Sequence, residues 1–190
     1  MSVVGSQRKQ SAIRAVLRHV SGLMQDEGCS IDVLDLGETQ LPLYDPDTTP
    51  DAPHFAALKD RVLRADVFLL GSPDYHGSIS SALKNFLDHF WQEFAGKLFA
   101  SVVASHDKGL TVTDQLRTVA RQCYAWTLPY GVSCAEKIDV AAGQIVSDPL
   151  RKRLDMVARD ARVYGALLAA QRHADLACSD DCFMAKHRPQ

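Results

Sequence analysis

Residues 67–85 read Val-Phe-Leu-Leu-Gly-Ser-Pro-Asp-Tyr-His-Gly-Ser-Ile-Ser-Ser-Ala-Leu-Lys-Asn, and this stretch narrows the possible folds more than any other. The apolar run Val67 to Leu70 reads as a buried strand. Gly71-Ser72-Pro73 supplies turn chemistry that stops it. An aromatic and polar cluster, Tyr75-His76-Gly77-Ser78, follows. A helix then carries Leu83, Phe86, Leu87 and Phe90 on one face. A strand that ends in a Gly/Pro loop and re-enters a helix puts that loop at the carboxyl edge of a sheet, where open α/β sheets bind ligands.

The rest of the chain repeats this alternation. Strands are expected at 2–4, 31–36, 66–71 and 97–105. A fifth is expected at 132–135, with an extension at 138–141. Helices are expected at 11–26, 54–64, 80–92, 113–126 and 149–172, the last capped by Asp148. The 11–26 helix is carried by Ile13, Val16, Leu17, Val20, Leu23 and Met24 at helical spacing. Residues 37–53, rich in Pro, Asp and Thr, form a long surface loop, with Asp45, Asp47 and Asp51 as turn-forming acids. Strands separated by helices imply βαβ units and a parallel sheet. The expected fold is a flavodoxin-like three-layer α/β sandwich with a five-stranded parallel sheet of order 2-1-3-4-5. Only about three strand residues, Ser2 to Val4, stand before Gly5, whereas a strand usually takes five or six; either the start lies a few residues late or the central strand is short.

A length of 190 residues suits one domain with a two-sided core. Lys and Arg number 21 against 23 Asp and Glu, with no basic stripe, which argues against a nucleic-acid partner. No apolar run approaches the roughly 18 residues of a membrane span, and no signal-peptide hydrophobic region stands at the start. Five scattered cysteines, an odd number, fit free thiols in a reducing cytoplasm. Residues 1–172 read as the single domain. Residues 173–190 read as a C-terminal tail, flexible or partner-docking, in which Cys178, Cys182 and His187 have suitable chemistry for a metal but match no common zinc spacing. No metal site is expected.

Three loops fall at the carboxyl edge. Gly5-Ser6-Gln7-Arg8-Lys9-Gln10-Ser11 opens a helix, where unpaired amides and the positive end of the dipole suit an anion. Ser6 and Ser11 add hydroxyls, and Arg8 adds a forked cation matched to phosphate. The loop fits neither the Walker pattern nor G-x-G-x-x-G. The second loop is stiffened by Pro73 and Gly77 and presents the flat face of Tyr75, with the amides of residues 74–78 turned to the crevice. The third, Ser105-His106-Asp107-Lys108-Gly109, is polar and faces the same crevice.

Gly5-Ser-x-Arg-x-x-Ser11, Leu41-Pro-Leu-Tyr-Asp-Pro-Asp47 and Ser72-Pro-x-Tyr-His-Gly-Ser78, followed by Leu83-Lys-Asn85, together resemble the NAD(P)H-dependent FMN reductases, a flavodoxin-like family that includes quinone, azo-dye and chromate reductases. The likeness runs from residue 2 to about 170. It implies FMN as cofactor and NADPH or NADH as co-substrate. It further implies that Ser6, Arg8 and Ser11 hold the FMN phosphate and that Pro73, Asp74, Tyr75, His76, Gly77 and Ser78 lie against the isoalloxazine ring. Ser105, His106, Lys108 and Gly109 would border the pyrimidine end. Two positions depart from the family pattern: Ile13 stands where Asn is common, and Asp107-Lys108-Gly109 replaces a glycine pair.

The resemblance implies two-electron transfer from NAD(P)H through FMN to a small-molecule acceptor: a quinone, free flavin, azo compound or metal oxyanion. The cofactor carries the chemistry, so no catalytic side chain is assigned, and His76 is read as a positioning group. A one-electron flavodoxin-type carrier is the competing reading, although such carriers tend to be strongly acidic and this chain is near neutral. A flavodoxin-fold module without FMN is a third. The 80–92 helix carries Phe86, Phe90 and Trp91, more aromatic surface than one sheet face needs. That surplus, with the family tendency, predicts a homodimer or homotetramer.

Overall fold

The computed structural model describes residues 1–188. The strands of its main sheet lie in the order 2-1-3-4-5 and every pairing within it is parallel. The strands are β1 (Ser2–Val4), β2 (Val33–Asp35), β3 (Val67–Pro73), β4 (Leu98–Ala104), β5 (Trp126–Thr127) and β6 (Val132–Cys134). The helices are α1 (Ala12–Asp26), α2 (Pro53–Arg64), α3 (Ser81–Asp88), α4 (Leu110–Gln122) and α5 (Asp148–Ala177). This is the expected order, with the fifth position split. β5 and β6 both pair with β4, separated by Leu128-Pro129-Tyr130-Gly131. Pro129 cannot donate to a ladder. Gly131 lies so close to the sheet that a Cβ would fall 2.8 Å from the Ser101 hydroxyl.

The side chains of β3 explain the layers. Phe68 and Leu70 point to one core with α2, α3 and α4. Leu69 points to the other, beneath α1 and α5. Gly71 is not a strand stop, as its sequence context suggests; β3 continues to Pro73. A Cβ on Gly71 would meet Ile13 and Leu17 of α1 at 2.5 and 2.6 Å, so glycine here lets α1 settle on the sheet. β1 is short, yet it is extended by flanking bonds. The Leu69 amide donates to the Met1 carbonyl at 2.9 Å, the Gly5 amide to the Gly71 carbonyl at 2.8 Å, and the Leu36 amide to the Val4 carbonyl at 3.1 Å.

Several expectations are corrected. Residues 138–141 do not extend strand five; β7 (Val140–Ala141) forms a small antiparallel hairpin with β8 (Gln144–Ile145). The cap of α5 is Ser147, whose hydroxyl accepts the Leu150 amide at 3.3 Å, rather than Asp148. α4 starts at Leu110, because Gly109 adopts a left-handed conformation that turns the chain into the helix. α3 ends at Asp88, and a separate 3-10 turn covers Gln92–Phe94.

The aromatic surplus of residues 80–92 is absorbed. Phe86 and Phe90 are buried with Phe94 beside Phe68 and Phe99, in edge-on contacts of 5.0 to 6.2 Å. Only Trp91 is exposed, at 55 %. These phenylalanines therefore give no argument for a subunit interface. Residues 173–188 are likewise not open chain. α5 continues to Ala177, Met184 is buried, and Phe183 meets Trp126 edge-on at 6.0 Å. Arg188 donates to the Asp175 and Asp180 carbonyls and to the sulfurs of both Cys178 and Cys182. His187 turns instead to the Tyr124 ring, 5.7 Å away. The three tail residues weighed as ligands therefore do not converge.

Lys97 enters the core just before β4 and closes the end of α2, donating to the carbonyls of Val62 and Leu63 at 2.6 and 2.9 Å. Burial, helped by the charge of Arg172, pushes its ammonium down from 10.5 to about 7, against opposing pulls from Asp66 and Glu93. An unfolded chain protonates this lysine below 10.5 and the folded chain only below about 7. Between those values the unfolded state binds more protons, so stability rises with pH. Urea unfolding from pH 7 to 9 should show stability rising by up to roughly 1 kcal/mol per pH unit, and Lys97→Met should flatten the slope. A flat wild-type profile over that range contradicts the assignment.

Candidate functional site

The loop after β1 reaches helix α1 through Ser11, an extended N-cap residue whose side chain makes no capping bond. Ser6 is buried and Ser11 nearly so. Both line a cavity of about 200 Å³ together with Arg8, Pro73, Asp74, Tyr75, Ser105 and His106. Eight of the thirteen sequence-predicted residues therefore meet in one place at the carboxyl edge. Glu136, unremarked in the sequence, closes the same cavity; it accepts from Arg8 at 2.8 Å.

The other five residues lie around this cavity without lining it. His76 and Gly77 form the tip of the second loop, both with positive φ, 57° and 77°. Tyr75 and Ser78 exchange backbone bonds across them, at 3.0 and 3.1 Å. That is a two-residue turn of the primed kind, which needs positive φ at both central positions. Ser78 faces a neighbouring cleft between α3 and α4 of about 860 Å³, lined also by Ile79, Ser81, Lys84, Gln115 and Val119. Gly109 is consumed by the α4 cap, and Lys108 is exposed.

The expectation that the amides of residues 74–78 all face the crevice is corrected. The Asp74 amide donates to the Ala104 carbonyl, and Tyr75 and Ser78 satisfy each other. The Gly77 amide donates to the Asp74 carboxylate at 2.8 Å. Among the described residues, only the His76 amide of the five has no protein acceptor. The loop is stiff because it satisfies itself. What it offers outward is the Tyr75 side chain, 45 % exposed, the exposed His76 side chain and one backbone donor.

The loops are tied to one another by short polar side chains. Asp74 accepts from the Ser105 hydroxyl at 2.9 Å as well as from Gly77, so its carboxylate joins the second and third loops. Gln115 of α4 accepts from the Ser78 hydroxyl and the Ile79 amide, at 3.2 and 3.0 Å. The Ser80 hydroxyl donates to the Gly5 carbonyl, linking the first loop to the start of α3. Asn85 accepts the Tyr44 amide at 2.8 Å and donates to the Pro42 carbonyl at 2.9 Å. The Leu41–Asp47 and Leu83–Asn85 segments are thus two halves of one clasp. Asp45 accepts the Asp47 amide at 2.8 Å, a turn-forming role.

On one side, then, the site offers helix-terminal amides, two serine hydroxyls and an arginine, a donor set that fits a phosphate monoester. On the other it offers an aromatic face and a rigid loop. On a sheet of order 2-1-3-4-5 this is the architecture of a mononucleotide-binding flavoprotein. The comparisons with known proteins make that class specific. The family described as NADPH-dependent FMN reductase matches residues 1–139, and the chain belongs to it. The chain is therefore an oxidoreductase of the FMN- and NAD(P)H-dependent kind, acting on small-molecule acceptors.

An FMN-dependent NADPH-azoreductase of Staphylococcus haemolyticus is 33% identical over 135 residues, 67% of this chain and 71% of the relative. The azoreductase of Staphylococcus aureus strain USA300 is 32% identical over 97 residues, with 52% of its length covered. In structure, the chain resembles the flavoenzyme NAD(P)H:(acceptor) oxidoreductase FerB of Paracoccus denitrificans, with a TM-score of 0.72 and 21% identity over 87% of this chain and 96% of that one. It also resembles an NADH:FMN oxidoreductase, EMOB, with a TM-score of 0.67 and 17% identity over 86% and 87% of the two chains. At these identities the structural likenesses speak for the fold.

Asp74 holds the second and third loops together through both of its carboxylate oxygens. Asp74→Ala strands the Gly77 amide and the Ser105 hydroxyl and should cost about 1–3 kcal/mol in urea unfolding. Asp74→Asn keeps an acceptor oxygen and should cost distinctly less. Equal losses for the two variants would contradict the role given to this side chain.

Proposed function

We propose that the 6–11 loop holds the phosphate of FMN through Ser6, Arg8 and Ser11, and that Tyr75 and the His76 amide lie against its ring system. The observation that carries this reading is the convergence of both loops, with Ser105 and His106, on one cavity at the carboxyl edge. FMN bound there supplies hydride exchange between a reduced nicotinamide and an acceptor. The chain's own groups bind and orient. Ser6 and Ser11 donate hydroxyls, Arg8 neutralises charge, and Pro73, Asp74, Gly77 and Ser78 hold Tyr75 in position. Lys108 and Gly109 serve at the rim, where the exposed lysine suits an anionic co-substrate.

Azo compounds and quinones are the proposed acceptors. The azoreductase names of the relatives support the first. The second fits the broader acceptor range of an open, stacked site. The proposed location is the cytoplasm, in keeping with five free cysteines. No helix among the described residues is long and apolar enough to cross a membrane. A homodimer or homotetramer remains the proposed assembly, with the α3–α4 cleft as its contact in place of the buried phenylalanines.

The direct test is an absorption spectrum of the purified protein with added FMN, followed by anaerobic NADPH and then an acceptor panel. The expected result is a bound flavin spectrum bleached by NADPH and restored by an azo dye or a quinone. Protein that fails to take up FMN, or a bound flavin that NADPH leaves unchanged, overturns the reading.

Arg8 meets the proposed phosphate while paired with Glu136, and both side chains are more than a third exposed or close to it, at 62 % and 34 %. Such a pair is worth at most about 1 kcal/mol. Glu136→Gln should therefore tighten FMN by up to about fivefold and leave riboflavin unaffected. Unchanged or weaker FMN binding in fluorescence titration would show that Glu136 does not compete for Arg8.

A further inference from the structure

Arg14 lies in the first turn of α1, and nothing in the loop motif points to it. Its Nη1 donates to the carbonyls of Arg8 and Lys9, at 2.7 and 2.8 Å. Nη2 reaches the Ser6 carbonyl at 3.5 Å. The guanidinium is itself gripped by Asp35, the last residue of β2, through Nε and Nη2. Asp35 in turn accepts the Gly37 amide at 2.9 Å. Both side chains are largely buried, at 17 % and 11 % exposure. Burial acts to raise the Asp35 carboxyl, but the hydrogen bonds from Arg14 and from the Gly37 amide outweigh it and hold the group below its ordinary value.

A trans peptide points its C=O and the following N–H in opposite directions. Pulling the carbonyls of residues 6, 8 and 9 onto Arg14 therefore turns the amides of Gln7, Lys9 and Gln10 away from it. None of those three amides has a protein acceptor among the described residues. Gly37 independently shows that the space is reserved. A Cβ there would fall 2.9 Å from Arg14 Nη2 and 2.9 Å from the Ser6 carbonyl oxygen, and the second of these is backbone.

We propose that Arg14, locked by Asp35, is a positioning residue that fixes the 6–11 loop with its amides presented to the flavin phosphate. Arg14 does not touch the ligand; it acts through the backbone it holds. The inference rests on the assignment of this loop to the FMN phosphate. Charge alone makes the opposite prediction for Asp35: removing a carboxylate near an anion should strengthen binding, whereas loosening the Arg14 fork should weaken it.

The test is fluorescence titration of the full-length, flavin-free protein with FMN and with riboflavin, which lacks the phosphate. Arg14→Lys keeps the charge and loses the fork. It should weaken FMN about tenfold, with riboflavin changed less than about twofold. Asp35→Asn and Gly37→Ala should each shift the FMN-to-riboflavin preference in the same direction. If wild-type protein does not prefer FMN over riboflavin, the phosphate assignment itself fails. If wild type prefers FMN, and Arg14→Lys keeps that preference or Asp35→Asn tightens FMN, the positioning role is overturned. A variant that binds both flavins equally poorly has lost its structure generally, which also counts against a phosphate-specific role; Gly37→Ala, which removes no charge, then serves as the deciding variant.

Discussion

The site depends on how closely β1 and β3 approach at their carboxyl ends. A Cβ on Gly5 would fall 2.5 Å from the Gly71 carbonyl oxygen and 2.9 Å from Leu83, so only glycine lets the first loop leave the sheet there. The Gly5 amide spans the gap to Gly71, while the Ser80 hydroxyl donates to the Gly5 carbonyl and accepts the Leu83 amide. Two loops from different strands are thereby set against each other before any ligand is considered. The third joins through Ser105 and Asp74. A parallel sheet puts all three at one edge; this network of short polar side chains makes them one surface.

Much of the fold was legible in the sequence because it rests on periodicity. The alternation of apolar runs with amphipathic helices implied the 2-1-3-4-5 sheet, and the core stripes of α1 and α4 follow their helical spacing. Misreadings came where one residue has two physical uses. Gly71 looks like turn chemistry but is a packing gap for Ile13 and Leu17. Phe86 and Phe90 look like surplus surface, because the sequence does not show that Phe68, Phe94 and Phe99 converge on them. Ser147 and Asp148 are both good caps, and only backbone geometry chooses between them.

The same distinction runs through the site. Residues that meet the cavity were visible as a motif: Ser6, Arg8, Ser11 and Tyr75. Those that shape it were not. Arg14, Asp35, Gln115 and Glu136 act across 21 to 128 positions of sequence, and no local pattern announces such pairs. Asn85 was visible as part of a motif, yet its task of clasping Leu41–Tyr44 appears only in three dimensions. The second loop differs in kind from its linear pattern. Its primed turn and its Asp74 cap consume amides that a linear reading leaves free.

The electrostatics of the first loop are correspondingly local. The chain carries a formal charge of only −2, so the proposed hold on an anion rests on oriented groups rather than on overall attraction. Arg8 and Glu136 share the mouth of the cavity, and the hydroxyls of Ser6 and Ser11 stand beside the start of α1. The central claim is that the 6–11 loop is where the flavin phosphate sits. A crystal structure of the protein with FMN tests it most directly. The account predicts the phosphate within hydrogen-bonding distance of Ser6, Arg8 and Ser11, with the ring system against Tyr75. A phosphate seated elsewhere, such as in the cleft between α3 and α4, would contradict it.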